Sequence, residues 1–446
     1  MNRVLPIAAL VFALIFFFVT ERSSYFATEN AAGPEAIHFW AASTPAQTME
    51  ELKADFENQH PEYRVEIQTV AWNSLQEKTL WAVAANSNVP DLIVGSSEWT
   101  GGLANNGALE PFDNHFPPDF FKQFFPSALG TYQFPEVFKD QPGSRGRMRQ
   151  YGIPLDLDMM LMFYRSDIVD PVMASLGMKA FPSTWSDLSK LGQALFNAQG
   201  ALPSSVQLLY LDPEDPVPLR MAFLPSSGGV LFNKEMTRAT FDSAESQAAF
   251  SFFAELLGNR SAKMWNRSTM GDPFDLVKSG RVAGNIAGPW YGKLLEQRAP
   301  EQAGKWRVAL FPRRSPELPS CGVGGSCLAM PYNAPNKRGA IELARYMSTN
   351  KFAMAYFRRV GSPPPQITAW NEAVFDEPSS YFGGQTVYAV VRQAIDQSHP
   401  LQLLPNAEIV KSHVRWALSE ISRGKSDAHQ VLSKAVVDAN EVLAQR

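Results

Sequence analysis

Gly288-Pro289 followed by Trp290-Tyr291 is the stretch whose residue types most invite chemistry. It comes after GRVAGNIA, a small-residue run of strand character, so a chain break sets two large aromatics just beyond a strand end. Such rings offer a wide, rigid apolar contact at little entropic cost, with a polar tip for hydrogen bonding. Two roles fit the pair: an aromatic plug over a helix start, or a platform for a ligand. Adjacent residues on a helix point apart, so Trp290 and Tyr291 need not share a role. The same conjunction recurs elsewhere. Trp40, Ser43 and Thr44 follow the apolar run AIHFWA, and Glu98 and Trp99 follow DLIVG. Asp156 and Asp158, in YGIPLDLDMM, are two residues apart in an extended segment, which puts both carboxylates on one face.

Carboxylates among aromatics raise the question of glycoside hydrolysis, which needs two carboxyl groups facing each other at roughly 5–10 Å. Glu98 and Asp158 could meet that requirement only if separate parts of the chain close on each other. No G-x-S-x-G elbow and no H-E-x-x-H helix occurs, and SEISRGKS has Ser419 where a phosphate loop needs its first Gly. Two Cys and six scattered His supply no zinc-type ligand spacing, so neither a metal nor another cofactor is expected. A net charge of −4 leaves no basic surplus for nucleic acid. Binding without catalysis is the expectation.

The elements that must position these residues follow from periodicity. At 446 residues the chain exceeds one ordinary core, and two lobes are expected. Residues 1–22 hold an uncharged apolar run from Val4 to Val19, preceded by Arg3 and ended by Glu21-Arg22, which suits an export signal or a membrane anchor. The remainder is therefore expected to be periplasmic or otherwise extracytoplasmic, with tethering as the alternative to cleavage. In that compartment Cys321 and Cys327, separated by a Gly-rich run, are expected to form a local disulfide, with two free buried thiols as the alternative. After a polar tether to residue 35, strands at 36–41, 63–70 and 91–95 alternate with helices at 48–57 and 74–85. Thr48 and Glu51 match a capping box for the first helix. This rhythm predicts an α/β fold with a mostly parallel sheet flanked by helices. Further strands are expected near 305–312 and 325–331, with a mainly helical tail beyond Pro335.

Taken in order, these segments resemble the extracellular solute-binding proteins of ABC importers, in the sugar-binding family that includes maltose-binding protein. The resemblance is carried by TMEELKADFENQHPEYRVEIQTV, NVPDLIVGSSEWTGGLANNGALEPF, YGIPLDLDMMLMFYRSDI, FPSTWSDL, LVKSGRVAGNIAGPW and CLAMPYNAPNKRGAIELARYMST. It covers nearly the whole chain after the export segment. It implies a type II two-lobed periplasmic-binding-protein fold, with one lobe from residues 36–157 and 316–355 and the other from 158–315 and 356–446. Hinge crossovers are implied near 155–158, 313–319 and 352–359, with the ligand in the cleft between lobes. It further implies that Trp290 stacks on a sugar ring, and that Ser43, Thr44, Glu98, Trp99, Asp158 and Ser362 sit at or near the ligand. A membrane permease is the implied partner and a monomer the implied state. One departure bears on substrate. Where the maltose-type proteins carry aromatics before a Gly-Gly pair, this chain has Pro218 and Leu219, with Arg220 next, in DPEDPVPLRMAFLPSSGG. Long maltodextrins are therefore not expected, and Arg220 with Arg359 leaves room for an anionic polyol.

Overall fold

The computed structural model describes residues 33–137, 145–198, 206–234, 237–401, 407–424 and 427–444. The export-type segment at 1–22 and most of the tether lie outside the described residues. Two sheets carry the architecture. In the first, the strands run Tyr63–Thr69, Glu35–Ala41, Leu92–Ser96, Ser326–Pro331 and Leu109–Glu110, with Ile153–Pro154 paired to Ser326–Pro331. The first three pair in parallel, as strand–helix–strand connections require. Ser326–Pro331 arrives from far along the sequence and pairs antiparallel to Leu92–Ser96, with Ser326 opposite Ser96 and Cys327 opposite Gly95. In the second sheet Leu161–Arg165 is the centre, and both neighbours, Gly284–Ala287 and Trp306–Leu310, run antiparallel to it. Among the described residues, parallel pairing is confined to the opening strand–helix rhythm and to contacts of three residues or fewer, such as Leu209–Leu211 with Ala262–Met264.

Both faces of the sheet's inner strands are covered, which is why Leu92–Ser96 and Ser326–Pro331 are buried throughout and read as largely apolar runs, while the edge strand Tyr63–Thr69 alternates buried and exposed. The period of two splits those runs: Ile37, Phe39, Leu92, Val94 and Leu328 pack in a core that also holds Phe56, Leu343 and Phe352. Trp40, Ile93 and Ala329 pack on the opposite face with Leu75 and Leu103. A separate core surrounds the second sheet. It gathers Phe163, Phe223, Phe253 and Trp306 with Val414, Leu418 and Leu432 of the C-terminal helices Ala407–Ser422 and Ala428–Ala444.

Short strands tie the cores together. Gly322–Gly324 pairs antiparallel with Asp158–Met159 and parallel with His399–Pro400. The Leu155 amide donates to the Ser326 carbonyl at 2.9 Å, and the Leu157 amide donates to the Pro363 carbonyl at 2.9 Å. Between Gly322–Gly324 and Ser326–Pro331 stands Gly325 at φ +130°, a conformation L side chains rarely adopt. A Cβ there would lie 2.6 Å from the Asp156 carbonyl oxygen.

Candidate functional site

A cavity of about 330 Å³ opens between the two cores, where the ends of strands from both sheets meet the crossovers. From the first core come Ser43 and Thr44, Trp72, and the loop Ser96-Ser97-Glu98. Ser43 and Thr44 are reached because the helix Ser43–Gln59 starts five residues before the expected capping box. Pro45 suits a first helical turn, and Thr48 serves inside the helix instead, its hydroxyl donating to the Thr44 carbonyl at 3.0 Å. Trp72 opens the helix Trp72–Ala85 directly after the strand Tyr63–Thr69. On the other side Trp290 opens the helix Trp290–Arg298 after Gly284–Ala287, while Val217 and Met221 add apolar lining. Trp72 and Trp290 are 37% and 38% exposed, far more than a core tryptophan, and both face this cavity. The crossovers contribute Asp156, Asp158, Ser326, Tyr356 and Ser362.

The three carboxylates have different electrostatic settings. Asp156 is buried, and its oxygens accept from the Ser326 amide at 2.6 Å and the Ser326 hydroxyl at 3.2 Å. Burial pushes its carboxyl above the usual range, against the pull of those bonds. Asp158 sits over Gly288, where a Cβ would lie 1.8 Å from its Oδ1 and 2.5 Å from Trp290 Nε1. Among the described residues that Oδ1 has no hydrogen-bond partner. Burial and the neighbouring Asp156 charge raise Asp158 from 3.8 to about 7, with the Trp290 indole N–H and the Met159 amide pulling the other way. Glu98 is the opposite case. Burial works to raise it, but Arg220 and Lys411 together hold it below the ordinary carboxylate value. Arg220 Nη2 pairs with Glu98 Oε2, Lys411 Nζ stands 3.7 Å from the same oxygen, and Lys411 also donates to the Glu98 carbonyl at 2.6 Å.

A cleft walled by half-exposed indoles, hydroxyls and carboxylates can hold a small polar solute with apolar faces. The model of the bacterial extracellular solute-binding proteins matches residues 41–354. The chain belongs to that family. Among relatives, it is 23% identical to a lactose-binding protein of Rhizobium radiobacter over 81% of this chain and 82% of that one. It is 22% identical to an arabinooligosaccharide-binding protein of Halalkalibacterium halodurans, covering 84% and 82%. Among solved structures, the sugar-binding protein MalE of Xanthomonas citri superposes with TM-score 0.74 at 21% identity, covering 92% of this chain and 98% of that one. A binding protein of B. animalis subsp. lactis in complex with β-1,6-galactobiose superposes with TM-score 0.70 at 19% identity, covering 92% and 98%. The two-lobed type II fold is shared with these structures.

Within this solute-binding frame the expected residues separate. Trp290, Ser43, Thr44, Glu98, Asp156, Asp158 and Ser362 line the cavity. Trp40 does not: strand alternation turns it into the sheet's second covered face, where Lys78 Nζ lies 3.9 Å above its ring. Trp99 is buried and meets Trp72 edge-on, ring centres 6.5 Å apart, so it backs the cavity wall without reaching it. Tyr291 is 4% exposed and packs edge-on against Phe163 at 5.3 Å and Phe274 at 6.3 Å, the core role that its helix neighbour escapes. Arg220 lies behind Glu98, and Arg359 pairs with Glu51 on the surface; neither lines the cavity. The expected disulfide is absent. Cys321 and Cys327 are both free and buried. The run between them is a strand and a crossover, not a turn, so Cys321 falls in the second core and Cys327 in the first sheet. Sequence reasoning missed Trp72, although its signal, an aromatic directly after a strand end, is the one that marked Trp290. It also missed Ser96, Ser97, Ser326 and Tyr356; Tyr356, inside a late amphipathic helix, carries no local sign of a cleft role.

Proposed function

We propose that the protein captures a small carbohydrate in this cleft, outside the cytoplasmic membrane, and delivers it to an ABC-type permease without chemical change. The observation that carries the reading is the pair of half-exposed tryptophans, Trp72 and Trp290, brought to one cavity from opposite sides. A pyranose has an apolar C–H face for an indole and a rim of hydroxyls for Ser43, Thr44, Asp158 and Ser362. The sugars in the names and complexes of the relatives support the same class. An anionic ligand is disfavoured, because both arginines that suggested one are ion-paired. Binding without catalysis is supported by the commitment of two of the three carboxylates, Glu98 to two cations and Asp156 to Ser326. Among the described residues Asp158 therefore faces no second uncommitted carboxylate of the kind that glycoside hydrolysis needs.

The working division is a lobe from 36–157 with a later return and a lobe from 158 onward. The cores support moving the second crossover from 313–319 to Gly325, since Cys321 and Val323 pack with the second core and Leu328 with the first. Ligand contacts from both lobes would favour closure in proportion to their preference for the closed form. A monomer acting alone suffices for this cycle. Among the described residues no helix is long and apolar enough to cross a membrane. Titration of a panel of mono- and disaccharides, read by intrinsic tryptophan fluorescence and by thermal shift, tests the proposal. Saturable responses to at least one sugar are expected; silence across the panel in both readouts would refute the carbohydrate reading.

A further inference from the structure

Beyond one end of the cleft lies a second cavity of about 330 Å³, and the two share only Glu98 and Val217 in their linings. The second space is lined largely by charged side chains, among them Asp212, Asp215, Arg267 and Arg415. The partition between the two spaces is therefore thin, but it is anchored. Glu98 comes from the loop after Leu92–Ser96 in the first sheet. Its cationic partners, Arg220 and Lys411, come from the short helical turn Leu219–Phe223 and the helix Ala407–Ser422 against the second core. Arg220 is 3% exposed, and its Nε and Nη1 have no hydrogen-bond partner among the described residues, as is also true of Glu98 Oε1. Taking either partner away would strand a buried charge, which resists removal of the wall by any solute that cannot replace both bonds.

We propose that Glu98, held by Arg220 and Lys411, is the end wall of the cleft and limits the ligand to one or two sugar rings. The proposal rests on the carbohydrate reading above and specifies the length of the sugar. The open volume on the Trp72–Trp290 side falls at the small end of the roughly 300–1,000 Å³ that ligand clefts span. A third ring in line would have to enter the charged space through the ion cluster. The chain at this end of the cleft, Val217 to Met221, carries no aromatic side chain on which a further ring could stack.

The test is an affinity series by calorimetry with glucose, maltose and maltotriose, and in parallel galactose, β-1,6-galactobiose and its trisaccharide homologue. For the wild-type protein the disaccharide of the accepted series is expected to bind best or to equal the monosaccharide, with the trisaccharide weaker by about tenfold or more. Two variants address the wall: Val217→Ala, which thins it without touching a charge, and the double change Glu98→Ala with Arg220→Met, which opens it without leaving that arginine unpaired. Both are expected to shrink the trisaccharide penalty to less than about threefold, whatever happens to absolute affinity. If wild-type protein binds trisaccharide as tightly as disaccharide, or if Val217→Ala and a folded double variant both keep the full penalty, the end wall is overturned while the carbohydrate reading stands. If the double variant does not fold, the wild-type series and Val217→Ala decide alone. Absence of binding to every member of both series, and to the wider panel, overturns the carbohydrate reading and the wall with it.

Discussion

Trp290 and Tyr291 are adjacent in sequence and opposite in role, and the difference is one of exposure. Tyr291 fills the second core against Phe163, whereas the Trp290 indole stands over the cleft beside Asp158. Trp290→Ala and Trp72→Ala are each expected to weaken sugar binding by about tenfold or more while moving the melting temperature by less than about 2 °C. A large loss of stability in Trp290→Ala would make it a core plug. Asp158 makes a prediction about pH. Its carboxyl titrates near pH 7 in the folded chain and near 3.8 when unfolded, so the folded state holds the extra proton between those values. Stability contributed by this group is therefore full at acid pH and falls as pH rises toward 7, then levels off. Melting curves from pH 4 to 8 are expected to show a shallower decline in Asp158→Asn than in wild type, with the variant more stable at pH 8 by a few degrees. Equal slopes would mean that Asp158 ionises normally.

At the scale of elements, the site depends on where strands stop and crossovers begin. Each cleft tryptophan is the first residue of a helix that follows a strand, so the element boundary aims the ring. Gly325 does the corresponding work for the crossover. Its left-handed backbone and the close approach of Asp156 admit no side chain. Gly325→Ala is expected to cost about 1–3 kcal/mol of stability from the backbone conformation alone, measurable by denaturant unfolding. Loss of sugar binding is expected with it, because the Asp156–Ser326 bonds adjoin the same residue. Most of these elements were legible beforehand: the strands at 36–41, 63–70 and 91–95 and the helix after Gly288-Pro289 all follow from apolar period and breakers. The helix start at Ser43 was not, because a plausible capping box at Thr48 drew the boundary inward. The pairing direction of the returning strands was not legible either, since nothing within a strand specifies which neighbour it will meet.

For the whole molecule, two free buried thiols replace the expected disulfide, and burial pushes the Cys327 thiol up to about 12. Such a thiol is a poor nucleophile while the fold is intact. The native protein is expected to resist thiol alkylation, and the denatured, unreduced protein to take up two labels by mass spectrometry. Uptake of none would restore the disulfide. Because Glu98 on one side bonds Arg220 and Lys411 on the other, the two cores are expected to melt together. A sugar present at about 100 times its Kd would add roughly 2.7 kcal/mol to that stability, seen as a single transition moved upward by several degrees. Two separable transitions, only one of them moved, would mean that the cores are not coupled.

The sequence by itself determined the α/β rhythm, the presence of two lobes, the family likeness, and the strand ends where ligand residues gather. The rhythm and the strand ends depend on periodicity and turn chemistry within a dozen residues, the two lobes on chain length, and the family likeness on the order of six segments. Only the tertiary structure decided which residues of each cluster face the cleft. Trp40 turns inward because its sheet is covered on both faces, and Trp99, at the start of the helix Thr100–Asn105, packs into the same core. Glu98 and Arg220 meet across 122 residues of chain, and Asp156 and Ser326 across 170. Contacts over such separations are fixed by the packing of one core against another, and no local pattern in the sequence encodes them.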